Sequence, residues 1–105
     1  MKVSYLAAGT YSRPDTWPDA TTGGVVDGTG FGVVNIWVDT APSAAWTFQT
    51  SPDGVNNWAT ITALGLDFSQ STTTGTTAGA RFSVPGGGFI RLNGGTGGTF
   101  IISGQ

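Results

Sequence analysis

The six aspartates are the only acidic side chains in the chain, which contains no Glu, His or Cys. General acid and base catalysis at neutral pH would therefore depend on paired Asp side chains, and the six lie dispersed between residues 15 and 67 without a pair. Asp15, Asp19 and Asp27 carry the hard oxygen ligands that Ca²⁺ prefers, but their spacing matches no known calcium loop. The residue types therefore predict no enzyme, no metal site and no bound cofactor.

The stretch SPDGVNNW, residues 51–58, is the second place where chemistry could lie. Its first four residues suit a type I turn, with the glycine free to adopt a left-handed conformation. The turn would consist of Ser51, Pro52, Asp53 and Gly54. Two alternatives remain open, an Asp-box-like element and a sugar-contacting loop. That loop would use Asp53, Asn56, Asn57 and Trp58. We interpret the stretch as a hairpin corner.

The composition predicts one all-β domain over residues 1–105. Only 10 % of the residues are charged, and 18 Gly accompany many Thr and Ser, so strong helix formers are scarce. The net charge is −2 and the four basic residues are scattered, which argues against nucleic acid as a partner. The chain lacks an apolar run of about 18 residues, so we predict no membrane partner and synthesis in a cytoplasm.

Apolar residues alternate with small polar ones in short runs, as in half-buried strands. The candidate strands are 2–7, 31–39, 45–50, 57–63, 66–70, 80–84, 88–93 and 98–103. We therefore predict an antiparallel β-sandwich of seven or eight strands, jelly-roll-like or Ig-like. The side chains expected inside it are Trp46, Phe48, Ile61, Phe82, Ile90 and Leu92.

Some large side chains fall on the faces that point away from this core. Trp37 alternates with Val34, Ile36 and Val38 in the strand 31–39, so it is a candidate contact outside the core. Arg81 and Arg91 are also expected to point outward. We take Trp37 and Arg91 as candidate partner-binding residues.

The segment SRPDTWPDATTGG, residues 12–24, lacks strand character and contains one isolated aromatic ring. Pro14 and Pro18 hold parts of it extended, and Trp17 between them offers a large apolar anchor. We predict a long irregular loop or arm in which these three residues contact a partner. The alternative is that the loop folds back and Trp17 covers one open end of its own sandwich.

Two segments together resemble a small β-sandwich pattern found in structural proteins of tailed bacteriophages: WTFQTSPDGVNNWATI and GARFSVPGGGFIRLNGGTGGTFIISG. The likeness covers roughly residues 45–103. The positions that match are Trp46, Phe48, Ser51, Asp53, Gly54, Trp58, Gly79, Phe82, Phe89, Arg91, Gly95, Gly98 and Thr99. The chain departs from the pattern at Pro52, in the insertion 64–79 and in the loop SRPDTWPD, residues 12–19.

The resemblance implies a non-enzymatic virion protein of the capsid cement or decoration type. Such a protein would bind the major capsid protein on the capsid surface and would form homo-oligomers. Similar sandwiches occur in tail parts and in carbohydrate-binding modules of the discoidin type. The alternative function is therefore a carbohydrate-binding or receptor-binding module of a tail apparatus.

Overall fold

The computed structural model describes residues 25–65 and 67–105, together with the strand backbone of Val3–Tyr5 and Asp15–Thr16. Every regular element in this part of the chain is a β-strand. The strands are β1 (Val3–Tyr5), β2 (Asp15–Thr16), β3 (Val25–Asp27), β4 (Val33–Thr40), β5 (Thr47–Ser51), β6 (Ala59–Thr60), β7 (Ala63–Gly65), β8 (Gln70–Ser71), β9 (Arg81–Pro85), β10 (Phe89–Asn93) and β11 (Thr99–Gly104). Within the same ranges, no helix has the length and apolar character needed to cross a membrane.

The strands form two sheets. The five-stranded sheet has the order β1-β3-β10-β5-β6, and the six-stranded sheet has the order β2-β11-β4-β9-β7-β8. Neighbouring strands pair antiparallel, except that β1 runs parallel to β3. The predicted all-β antiparallel sandwich is thus confirmed. The described residues contain eleven strands, three of which are only two residues long.

The core lies between the inner faces of the two sheets. In β4 the side chains of Val34, Ile36 and Val38 are buried, whereas Trp37 between them is exposed, as the period of two requires. Of the six side chains predicted inside, four are buried and two are partly buried against the core cluster. The buried ones are Trp46, Phe48, Ile90 and Leu92, and the partly buried ones are Ile61 and Phe82.

Two regions differ from the predicted strands. In place of the predicted strand 66–70, residues 67–69 lie in the turn before β8, which begins at Gln70. The predicted strand 57–63 is divided into the end of a corner, β6 and the start of β7. The strand β3 was not predicted, because VVD followed by Gly28 is too short to show an alternation. Short strands carry too little pattern to be recognised from sequence alone.

The segment 12–24 contains one described piece of structure. Thr16 and Asp15 pair with Ile101 and Ile102 of β11, so these two residues form an edge strand of the six-stranded sheet. The expectation that the segment lacks strand character is wrong at these two positions. Pro14, Trp17 and Pro18 lie outside the described residues.

Candidate functional site

The outer face of the six-stranded sheet carries the most prominent apolar surface in the described part of the chain. In antiparallel ladders, directly opposed residues share a face, and Ile101 is opposite Trp37, which is opposite Arg81. The next row on the same face ends at Leu64, which is opposite Ser83. We call this surface the Trp37 face, defined by Val33, Trp37, Leu64, Phe68, Arg81 and Ile101.

Trp37 and Arg81 stack on each other at the centre of this face. The Arg81 guanidinium carbon lies 3.8 Å from the centroid of the Trp37 ring, within the range of a cation–π contact. Trp37 nevertheless remains 42 % exposed. The stack fixes the ring against the sheet and leaves part of it available to a partner.

The polar side chains next to Trp37 bond to one another. The Ser83 hydroxyl donates to Asn35 Oδ1 at 2.9 Å, and Asn35 Nδ2 donates to Gln105 Oε1 at 3.0 Å. This chain of hydrogen bonds runs across β9, β4 and the residue after β11. Because these groups already have partners, another molecule can cover the surface beside them without leaving a buried donor or acceptor unpaired.

A groove of about 400 Å³ runs along the Trp37 face. Its apolar rim includes Trp37, Leu64, Phe68 and Ile101, and Arg81 is the charged residue among its lining. Phe68 is 82 % exposed at one end of it. Four of the five exposed large hydrophobic residues of the described chain belong to this face, and Val55 is the fifth. The exposed large hydrophobic residues are therefore clustered and not scattered singly over the surface.

The stretch 51–58 forms the corner between β5 and β6. The Ser51 hydroxyl oxygen accepts from the Gly54 N–H at 3.1 Å, and Gly54 has a φ of +74°. The Asp53 carboxylate accepts from the N–H groups of Val55 and Asn56, each at 2.9 Å. The predicted turn residues therefore hold the backbone of the corner through their side chains.

Trp58 is the last residue of this corner, and its ring packs against Arg91. The Arg91 guanidinium carbon lies 4.3 Å from the Trp58 ring centroid, and Arg91 Nε donates to Gln49 Oε1 at 2.8 Å. The Trp58 indole N–H donates to the Val55 carbonyl at 3.2 Å. One face of the ring and its N–H are thus already occupied, which disfavours the corner as a platform for stacking a sugar.

The structure separates the two described candidate partner-binding residues. Trp37 lies on the outer face of the six-stranded sheet, whereas Arg91 belongs to β10 of the five-stranded sheet. They therefore do not form one site. Sequence reasoning also missed Leu64 and Phe68, although the alternation of large apolar residues in LGLDF was visible.

The Asp53 carboxylate makes the corner sensitive to acid. The N–H groups of Val55 and Asn56 and the Ser51 hydroxyl hold the pKa of Asp53 below its ordinary value of 3.8. A lowered pKa in the folded state stabilises the fold fully above the unfolded value, and this contribution is lost as the pH falls through the folded pKa.

We therefore expect Asp53→Asn to lower the free energy of unfolding at neutral pH and to approach wild type as the pH falls below 3.8. Urea denaturation across this range measures the difference. A difference between the two proteins that does not change with pH would contradict the assigned role of the carboxylate.

The described residues contain no group of three or more side chains of the types that hold a metal ion. Together, the fold and the Trp37 face define the class of protein: a small all-β sandwich with exposed apolar side chains on the outer face of one sheet. No family model and no curated protein matches the chain. Among solved structures, the chain is similar to the SPBc2 prophage-derived protein YomS, with a TM-score of 0.63 at 11 % identity. The likeness covers 93 % of this chain and 96 % of that one, and at this identity it is a likeness of fold.

Proposed function

We propose that the chain is a phage-encoded, non-enzymatic structural protein of the virion, of the capsid cement or decoration type. In this role it binds the major capsid protein at the outer surface of the capsid. The likeness in fold to a prophage-derived protein supports a phage origin. The sequence pattern over residues 45–103 supports the assignment to the virion.

The observation that carries the proposal is the concentration of exposed hydrophobic side chains on the Trp37 face. Trp37 and Leu64 are each 42 % exposed and Phe68 is 82 % exposed, on a domain with few charges. Aromatic and aliphatic anchors on an otherwise neutral surface are typical of contacts between protein chains. A structural protein of a shell works through such contacts and requires no reactive group.

The alternative, a carbohydrate-binding or receptor-binding module of a tail, has less support from the geometry. Sugar sites use an aromatic ring with an open face and convergent polar groups. Arginine covers one face of both Trp37 and Trp58. The Asn35 amide beside Trp37 already bonds to Ser83 and Gln105.

The deciding experiment is cryo-electron microscopy of virions of the encoding phage, with the gene intact and with the gene deleted. We expect density of the size of this sandwich on the outer surface of the capsid, absent from the deletion virions. The capsids that lack it should release their DNA at a lower temperature. Density confined to the tail, or deletion virions identical to wild type, would refute the cement proposal. Binding on a glycan array would favour the tail alternative.

A further inference from the structure

Phe68 occupies an unusual position in the hairpin that joins β7 to β8. The Phe68 N–H donates to the Gly65 carbonyl at 3.0 Å, and the Gly65 N–H donates to the Ser69 carbonyl at 2.7 Å. Phe68 itself has a φ of +64°. This is the pattern of a short hairpin turn whose last turn residue is left-handed, a place that glycine normally fills. A bulky side chain there strains the backbone.

The ring of Phe68 returns no stability to its own fold, because the residue is 82 % exposed. The neighbouring residues are hydrogen-bonded to each other, since the Asp67 carboxylate accepts from the Ser69 N–H at 3.1 Å and from the Ser69 hydroxyl at 2.5 Å. A residue whose backbone is strained, and whose side chain does not pack in the core, is characteristic of a binding site. The hairpin therefore presents Phe68 to something outside the chain.

The groove on the Trp37 face begins beside this ring and opens on the same side of the molecule. Its volume of about 400 Å³ exceeds that of a cavity of roughly 150 Å³ that accepts benzene. In an interface with twofold symmetry, the same surface of each copy contacts the other copy. A surface that carries both a protruding ring and an apolar groove can form such an interface, because the ring of each copy can enter the groove of the other.

We propose that the Trp37 face is a twofold self-association interface, in which Phe68 of each copy inserts into the groove between Trp37 and Leu64 of the other copy. The occupant of the groove is thus a second copy of this chain. The proposal rests on the proposed function in taking this face as a contact between proteins. The exposed hydrophobic side chains of this face then support a structural role through the contact between copies, and the capsid protein is bound by a different surface.

The charges on this face support a second copy over a different partner. Asp67 precedes the protruding ring and is exposed, and Arg81 lines the groove. Asp67 and Arg81 of one chain line the same depression next to the groove, so opposite charges lie side by side on this face, and a twofold axis can place each of them opposite its counterpart on the other copy. The surface is therefore complementary to itself in charge as well as in shape.

Self-association through this face also suits the proposed function. A dimer of this kind would hold two capsid subunits at once, and such bivalent attachment strengthens binding to a repeating shell.

The test is sedimentation equilibrium of the whole chain from micromolar to near-millimolar concentration. We expect wild type to dimerise reversibly and Phe68→Gly to weaken dimerisation by about 30-fold or more, as loss of an aromatic hot spot does. In dilute solution, where both are monomeric, Phe68→Gly should melt at a higher temperature than wild type, because glycine relieves the left-handed strain. Loss of association together with gain of stability separates an interface residue from a structural one.

Asn57 provides the matched control, because it is the other residue besides glycine with a positive φ in the described chain, at 61°, and it lies in the corner between β5 and β6. Asn57→Gly should leave dimerisation unchanged. Leu64→Lys should abolish dimerisation from the groove side without lowering the melting temperature of the monomer. A wild-type monomer at near-millimolar concentration, or a Phe68→Gly dimer as tight as wild type, would overturn the proposal. If such a monomer still decorated virions, the proposed function would stand without it.

Discussion

Phe48→Ala is expected to lower the free energy of unfolding by about 3–5 kcal/mol, the usual cost of deleting a buried aromatic ring. Phe48 is fully buried in β5, and its ring centroid lies 5.2 Å from that of Phe82, which packs against the core from β9 of the other sheet. The substitution therefore leaves a cavity between the two sheets. The total stability of a domain is only about 5–15 kcal/mol, so this loss is a large fraction of it.

Urea denaturation of Phe48→Ala and wild type measures this loss. Val55→Ala serves as the control, because Val55 is 62 % exposed at the corner and its truncation should change stability by no more than about 0.5 kcal/mol. Losses of similar size in the two variants would mean that Phe48 does not join the sheets as described.

Gly54→Val is expected to lower the free energy of unfolding by about 3 kcal/mol through two separate effects. The φ of +74° at Gly54 is left-handed, which costs an L-residue roughly 1–2 kcal/mol. A Cβ at this position would also lie 2.9 Å from Cγ and 3.0 Å from Cδ1 of the Phe89 ring. The corner would have to shift away from β10 to accept the side chain.

Gly75 isolates the first effect from the second. Its φ is +64°, and a Cβ built there meets nothing within 4 Å. Gly75→Val should therefore show only the backbone strain, and the difference between the two variants in urea denaturation measures the contact with Phe89. If the two variants lost the same free energy of unfolding, the Phe89 ring would be moving aside at no cost. The positive φ alone would then account for the glycine at position 54.

The alternation of apolar residues was sufficient to predict the long strands and most of the core. In β4, β10 and β11 the period of two is sustained over five or more residues, so the sequence alone assigns the buried face of these strands. Trp37 was placed outside the core for the same reason. Its partner Arg81 could not be assigned, because the contact depends on which strands are neighbours and in which register.

The β7–β8 hairpin shows why other parts could not be predicted. A turn is normally recognised by Gly, Asn or Pro, and here the left-handed position carries Phe68, which continues the apparent alternation from Leu64. The alternation therefore predicts a strand over residues 66–70. The residue that obscures the turn in the sequence is the same exposed Phe68 for which we propose a role in self-association.

The position of β4 in the six-stranded sheet has a consequence for how the chain folds. Both neighbours of β4 lie far along the sequence, as shown by the hydrogen bonds from Ser83 and to Gln105 that reach Asn35 across 48 and 70 residues. During synthesis, β4 would leave the ribosome well before either neighbour, with its edges unpaired and its apolar residues uncovered. Chains with such distant pairings fold slowly and are prone to aggregate while incomplete. Yield in a cell should accordingly respond to growth temperature and to chaperones that hold nascent chains.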